Sequence, residues 1–296
     1  MANPRGRRSL LRTAVAAGGA ALAGCSALPS LSGGDERATA RDWLYDPTAF
    51  AETSVVTLQF ESPVRIAEHR EQLHPEVRAE RSGPMYAPGL DPAATDWAIR
   101  IADDLLRGPI QTVYRGDFGA TAARGAATAA VGDGVTLAAA DPVADLEHRS
   151  DGDAHVGYRE GLAVAVRGSG GEFRRLVEGA ANRTDRLAGA GASVPRVLDA
   201  LGFDHTAQAA FAPQDDGWQA MGTGYRVDGE TTTVRLVVRD AERTAADLRG
   251  LGESIDGLRE VNVAADGPVL TLTAVADTDR VGLRGAMFQD FELPYG

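Results

Sequence analysis

A chain of 296 residues, 44% hydrophobic and 24% charged, holds enough apolar material for one large or two modest domains and too much to remain disordered. Its formal net charge of −12 argues against nucleic acid as a partner, because an acidic surface repels phosphates. The single cysteine excludes a disulfide framework.

The chain opens with Arg5, Arg7, Arg8 and Arg12 and no acid, and Thr13 to Gly24 is uncharged and mostly alanine and glycine. That is the layout of an export signal. It is too weakly apolar for a transmembrane helix, which needs about 20 predominantly apolar residues. Arg7 and Arg8, followed by Leu10 and Leu11, resemble the twin-arginine export motif, whose machinery carries folded cargo. Leu22-Ala23-Gly24-Cys25 resembles a lipobox, in which the chain is cut before the cysteine and the sulfur is joined to lipid. The resemblance implies that residues 1–24 are removed and that Cys25 tethers the rest to the outer face of the membrane. Without a lipid, Cys25 would be an ordinary small hydrophobic thiol.

Losing four arginines and no acid takes the mature charge from −12 to −16. Every one of the 30 basic residues is arginine, and lysine is absent. Scarce isoleucine and asparagine, abundant alanine, glycine, aspartate and arginine, and a pI near 4.9 resemble the proteins of salt-loving archaea. In molar salt the Debye length is about 3 Å, so charges that would repel in dilute buffer are screened. Marginal folding at low salt is the expectation.

From Ser26 to Arg41 the residues are small and polar, which predicts a flexible tether over 25–41. Asp42-Trp43-Leu44-Tyr45-Asp46-Pro47 then marks the start of the folded body. Trp43 and Tyr45 could bind a ligand, or could pin the chain to the body through two amphipathic rings. Thr53 to Phe60 is β-branched and partly alternating, hence a strand. Pro63 opens a helix. The Gly- and Pro-rich stretch 81–92 is a loop. Trp97, Ile101 and Leu105 recur every four residues, which predicts a helix from Asp96 to Leu106, capped by Thr95 or Asp96 and ended by Gly108-Pro109.

A strand from Ile110 to Arg115, an alanine-rich helix from Phe118 to Ala130, a strand starting at Val135 and a long polar excursion from Asp141 to Glu160 follow. Gly161 to Arg167 alternates as a strand, and Phe173 to Leu187 and Val194 to Leu201 are helical. Thr206 to Ala212, Trp218 to Val227 and Thr231 to Val238 predict antiparallel strands, the last two joined by Asp228-Gly229, a strong hairpin signal. Ala241 to Ile255 is an amphipathic helix. Leu258 to Ala264 and Val269 to Val275 pair through Asp266-Gly267-Pro268, and Thr278 to Phe288 closes as a helix.

The order strand, helix, strand pair, helix occurs over 110–187 and again over 231–288, with Val113 to Phe118 resembling Val237 to Ala241. The expected fold is α+β: antiparallel sheets covered by helices, arranged as two related strand-helix-strand-strand-helix units at 42–203 and 204–296.

No residue set carries recognisable chemistry. Among five histidines, His69 and His74 lack the His-Glu-x-x-His spacing. The most metal-like patch is His148, Asp151, Asp153 and His155, where carboxylates suit calcium and imidazoles a softer ion. A halophilic surface is built of the same acidic loops, so neither metal nor cofactor is assigned. Gly168-Ser169-Gly170-Gly171 sits where a phosphate cradle would, but lacks both the dinucleotide spacing and a lysine, and reads as a strand-to-helix turn. Asp117, Asp215 and Asp216 are acids at turns, and no Gly-x-Ser-x-Gly elbow exists. Asn182-Arg183-Thr184 is a glycosylation sequon inside a predicted helix.

Leader, lipobox, aromatic opening, Gly-Asp-Phe before a helix, and the 161–167 strand before Phe173 together resemble a family of haloarchaeal lipoproteins with a twin-arginine signal, a family without a settled activity. The resemblance implies location and fold but no site residues. The expectation is a non-enzymatic, lipid-anchored binding or scaffolding protein. The alternative is a solute-binding lipoprotein serving a transporter, or a secreted hydrolase, and either would show a deep cleft between the two units.

Overall fold

Along Val56–Glu61 (β1), Val56, Leu58 and Phe60 are buried while Thr57, Gln59 and Glu61 are half-buried, the period of two that a strand imposes. In the computed structural model, β1 pairs antiparallel with Thr95–Asp103 (β2) on one side and Thr206–Gln214 (β8) on the other. The described residues are 40–44, 55–79, 89–103, 110–184, 186–187, 193–214, 217–240 and 243–282.

Two wings extend from β1 into one 12-stranded antiparallel sheet. One wing contains β2, Ile110–Gly116 (β3), Ala138–Val143 (β4), Leu146–Ser150 (β5), Ala154–Arg159 (β6) and Leu162–Arg167 (β7), in the spatial order β2-β3-β7-β6-β5-β4. The other contains β8, Gly217–Asp228 (β9), Thr231–Arg239 (β10), Arg259–Asp266 (β11) and Val269–Asp277 (β12), in the order β8-β9-β10-β12-β11. In the first wing a helix, Ala120–Val131 (α3), follows β3, and the chain later returns through β7 to pair with β3. Ala245–Ser254 (α6) follows β10 likewise, and β12 returns to pair with β10.

Helices cover both faces. On one face a central core collects Val56, Leu58 and Phe60 of β1 with Ile99, Val164, Phe211 and Val237, beneath Gly170–Asn182 (α4) and Val194–Leu201 (α5). The opposite face carries two separate cores. One lies under α3, where Ala123, Ala126 and Ala127 meet Ala163 and Ala165. The other lies under α6, where Leu248 meets Leu236 and Leu272. Alanine at these α3 positions suits a helix lying close on the sheet, and Pro63–Glu68 (α1) and Pro75–Ala79 (α2) add Ile66 and Val77 to the core under α6.

Several expectations changed. Thr95–Asp103 is the strand β2, where a helix was predicted. Trp97, Ile99 and Ile101 enter the central core while Ala98 faces α3, so a strand with apolar residues on both faces imitates helical spacing. The polar excursion 141–160 contains β5 and β6, whose alternation is hidden because His148 and His155 occupy buried positions. In the closing segment only a short 3-10 turn, Thr278–Arg280, is described, and the rest of the predicted helix lies outside the described residues. At the expected 203/204 boundary the sheet is continuous, because β8 pairs with β1, and α5 packs against β9 and β10.

The edge strands are interrupted. The β4–β5 register shifts between Ala140 and Val143, around Pro142, and β11 carries a shift next to Glu260, whose φ is 54°. Both features blunt an edge that could otherwise recruit another strand.

Candidate functional site

The turn Asp151-Gly152-Asp153 joins β5 to β6, with Gly152 at φ 63°. Register places His148 opposite Gly157 and Ser150 opposite His155, so the two histidines share one face of the hairpin on adjacent strands. Both are buried, at 8% and 6% exposure. Their rings meet over Phe173 of α4: His148 stacks on it at 4.5 Å and 11°, and His155 at 5.9 Å and 23°. Gly157 makes room for that ring, since a Cβ there would lie 2.7 Å from Phe173 Cζ and 2.9 Å from Leu146 Cδ1. Ser169 caps α4 in a reciprocal box with Glu172, which makes 168–171 the strand-to-helix turn expected.

All four ring nitrogens of the pair are engaged. His148 Nδ1 lies 3.0 Å from the Asp141 carbonyl and His155 Nε2 2.9 Å from the Gly152 carbonyl. The inner nitrogens, His148 Nε2 and His155 Nδ1, are 3.2 Å apart. Burial, aided by the neighbouring His155 and Arg174, lowers the pKa of His148 below the usual histidine value. Asp151 and Asp153 stay exposed in the turn, and the Asp151 carboxylate accepts the Thr136 N–H at 3.3 Å. The structure therefore brings the two histidines together and leaves the two aspartates outside. Among the described residues no three His, Cys, Asp or Glu side chains converge as a metal site.

A third buried histidine lies immediately before β8. His205 is 6% exposed, its Nδ1 accepts the Val227 N–H at 3.3 Å, and its Nε2 has no hydrogen-bond partner. Burial first, then His69 and Arg65, push its pKa down to about 4. His69 faces it with ring centroids 5.4 Å apart. Next to it Asp204, 3% exposed on its side chain, pairs with Arg235 at 2.9 Å. On the sheet face that carries α3, Tyr114 is pushed up to about 12 by burial. Sequence spacing does not reveal the His69–His205 and Asp204–Arg235 pairs, because each joins residues far apart in the chain.

A cleft of about 540 Å³ is lined by Glu71, Leu73, Arg78, Glu230, Asp277 and Arg280, among others. It lies beside α2, the β9–β10 turn and the end of β12, and its lining includes neither His148 nor Asp151. Asn182 is the exposed last residue of α4, and Asp117 is exposed after β3. Arg7, Arg8, Cys25, Tyr45, Asp215 and Asp216 lie outside the described residues. Trp43 is described and is 6% exposed in the central core, so its ring packs against the body.

Comparison with known proteins identifies no matching family model and no matching curated protein. Solved structures of TP0453 resemble the fold at low identity. Crystal form III has a TM-score of 0.45 and 7% identity, covering 81% of this chain and 94% of that one. Crystal form I has a TM-score of 0.43 and 8% identity, covering 83% and 96%. The chain is mixed α and β, dominated by one large antiparallel sheet.

Proposed function

We propose that this chain is a non-enzymatic binding or scaffolding protein of a halophilic archaeon, exported through the twin-arginine machinery and anchored to the outer face of the cell membrane by a lipid on Cys25. The observation that carries the reading is the way the expected tether meets the body. Ala40, Trp43 and Leu44 are buried in the central core, and the Leu187 N–H donates to the Leu44 carbonyl at 2.7 Å. Arg41 pairs with Asp199 and donates to the Leu198 carbonyl at 2.8 Å, and Arg186 pairs with Asp42 at 2.6 Å. A pull on the tether is thus borne at residues 186–187, after α4, and at α5. The fifteen peptide links from Cys25 to Ala40 span at most about 50 Å, which sets the furthest the body stands from the bilayer.

The two wings are proposed to be related units. Matching helix placement, α3 after β3 and α6 after β10, and matching return strands, β7 and β12, support a duplication in which the first unit gained the β4–β5 pair.

Fractionation of high-salt membranes tests the anchor. Wild type should sediment with the membranes and Cys25→Ser should be released to the soluble fraction. Equal recovery of both forms in the membranes would overturn the reading.

A further inference from the structure

Two carbonyls decide which nitrogens of the His148–His155 pair carry protons. A carbonyl oxygen only accepts, so His148 Nδ1 must be N–H toward Asp141 and His155 Nε2 must be N–H toward Gly152. In two neutral rings these are the only protons, and the inner nitrogens would then present lone pairs to each other across 3.2 Å in a buried site. Two facing acceptors repel, and a gap of 3.2 Å is too short for a water molecule to sit between them. A third proton turns the repulsion into an N–H···N hydrogen bond and satisfies all four nitrogens. A second extra proton would aim two N–H groups at each other and place two buried positive charges side by side.

From this geometry we infer that the His148–His155 pair holds one shared proton between its inner nitrogens, forming a buried imidazole–imidazolium pair that latches the β5–β6 hairpin onto α4. Charged groups around the pair fit one positive charge better than two. The Asp141 carboxylate on β4 attracts it, while burial, the largest influence, and Arg174 on α4 oppose it at His148, which leaves His148 Nε2 as the acceptor of the shared proton. Glu172 on α4 is held by the Ser169 N–H, and Arg149 on β5 donates to the Leu137 carbonyl. Zinc is the competing occupant of two facing imidazoles, but a zinc site takes at least three protein ligands, and no third converges here among the described residues. Acid that adds the second proton breaks the inner bond and loosens the hairpin, and base that removes the shared one does the same.

Nitrogen-15 NMR of the full chain, labelled at histidine and treated with EDTA in molar salt at pH 7, reads the proton count directly. Three of the pair's four nitrogens should be protonated, with one proton correlated to both inner nitrogens. Two protonated nitrogens would overturn the inference, as would a change in the inner-nitrogen signals when stoichiometric zinc is added after the EDTA has been dialysed away. Electrophoretic charge comparison with His155→Gln at the same pH gives a second reading. The variant should be more negative by about one elementary charge, and no difference between two folded proteins would refute the shared proton. If His155→Gln fails to fold, the wild-type spectrum decides alone.

Discussion

Acid should destabilise this protein through His205 in a way that a single substitution can remove. The ring is 6% exposed, and because Nδ1 accepts from Val227 it is held in the neutral tautomer. Burial, His69 and Arg65 lower its pKa from 6.5 to about 4, outweighing the opposing pull of Asp204 and Asp228. In the unfolded chain the same ring titrates near 6.5, so between the two values the unfolded state binds the extra proton and the native state does not. Stability is therefore full above about pH 6.5 and falls as the pH drops toward 4. Lowering the pKa from 6.5 to about 4 corresponds to about 3 kcal/mol of stability lost across that window. Urea unfolding at fixed molar salt, at pH 7 and pH 4, measures it in wild type and in His205→Gln, which keeps an acceptor for Val227 but does not titrate. Carboxylates and the His148–His155 pair contribute equally to both proteins, so wild type should lose about 3 kcal/mol more than the variant. Parallel losses would show that His205 is not held neutral by its surroundings, and the reasoning would fail.

Two further outcomes follow from glycine placement and from surface charge. A Cβ on Gly224 would collide with the backbone carbonyl of Leu201, where α5 crosses β9, so Gly224→Ala should lower stability by about 2–3 kcal/mol, whereas Gly250→Ala on α6 meets nothing and should raise it by about 0.5–1 kcal/mol. Equal urea midpoints for the two variants would contradict the close helix-to-sheet approach. With a formal charge of −12 and lysine absent, the melting temperature should climb as KCl is raised from dilute buffer to molar concentration, and a flat dependence would remove the halophilic reading.

Much of the second wing was legible because its signals are local. Asp228-Gly229 turns β9 into β10 with Gly229 at φ 71°, and Gly267 at φ 59° does the same between β11 and β12, so each hairpin is encoded by adjacent residues. The helix α6 was expected from Ala241, and it starts at Ala245 because Thr244 and Asp247 cap it there. The first wing was harder. Residues 95–103 satisfy a helical and a strand pattern alike, and only pairing with β1 and β3 selects the strand. The histidines at 148 and 155 looked like an open loop patch until the hairpin folded and α4 brought Phe173 over them.

What the sequence by itself determined is whatever neighbouring residues settle among themselves: the acidic, lysine-free composition, the tight turns and the antiparallel character of the strands they join. Tertiary structure alone decided that the two wings share one sheet through β1, that Trp43 belongs to the core, and that His148 meets His155 while Asp151 and Asp153 stay in solvent. The division has a physical cause. Turns and caps depend on hydrogen bonds within a few residues, whereas burial, ring stacking and proton placement depend on groups that come together only when distant strands pair.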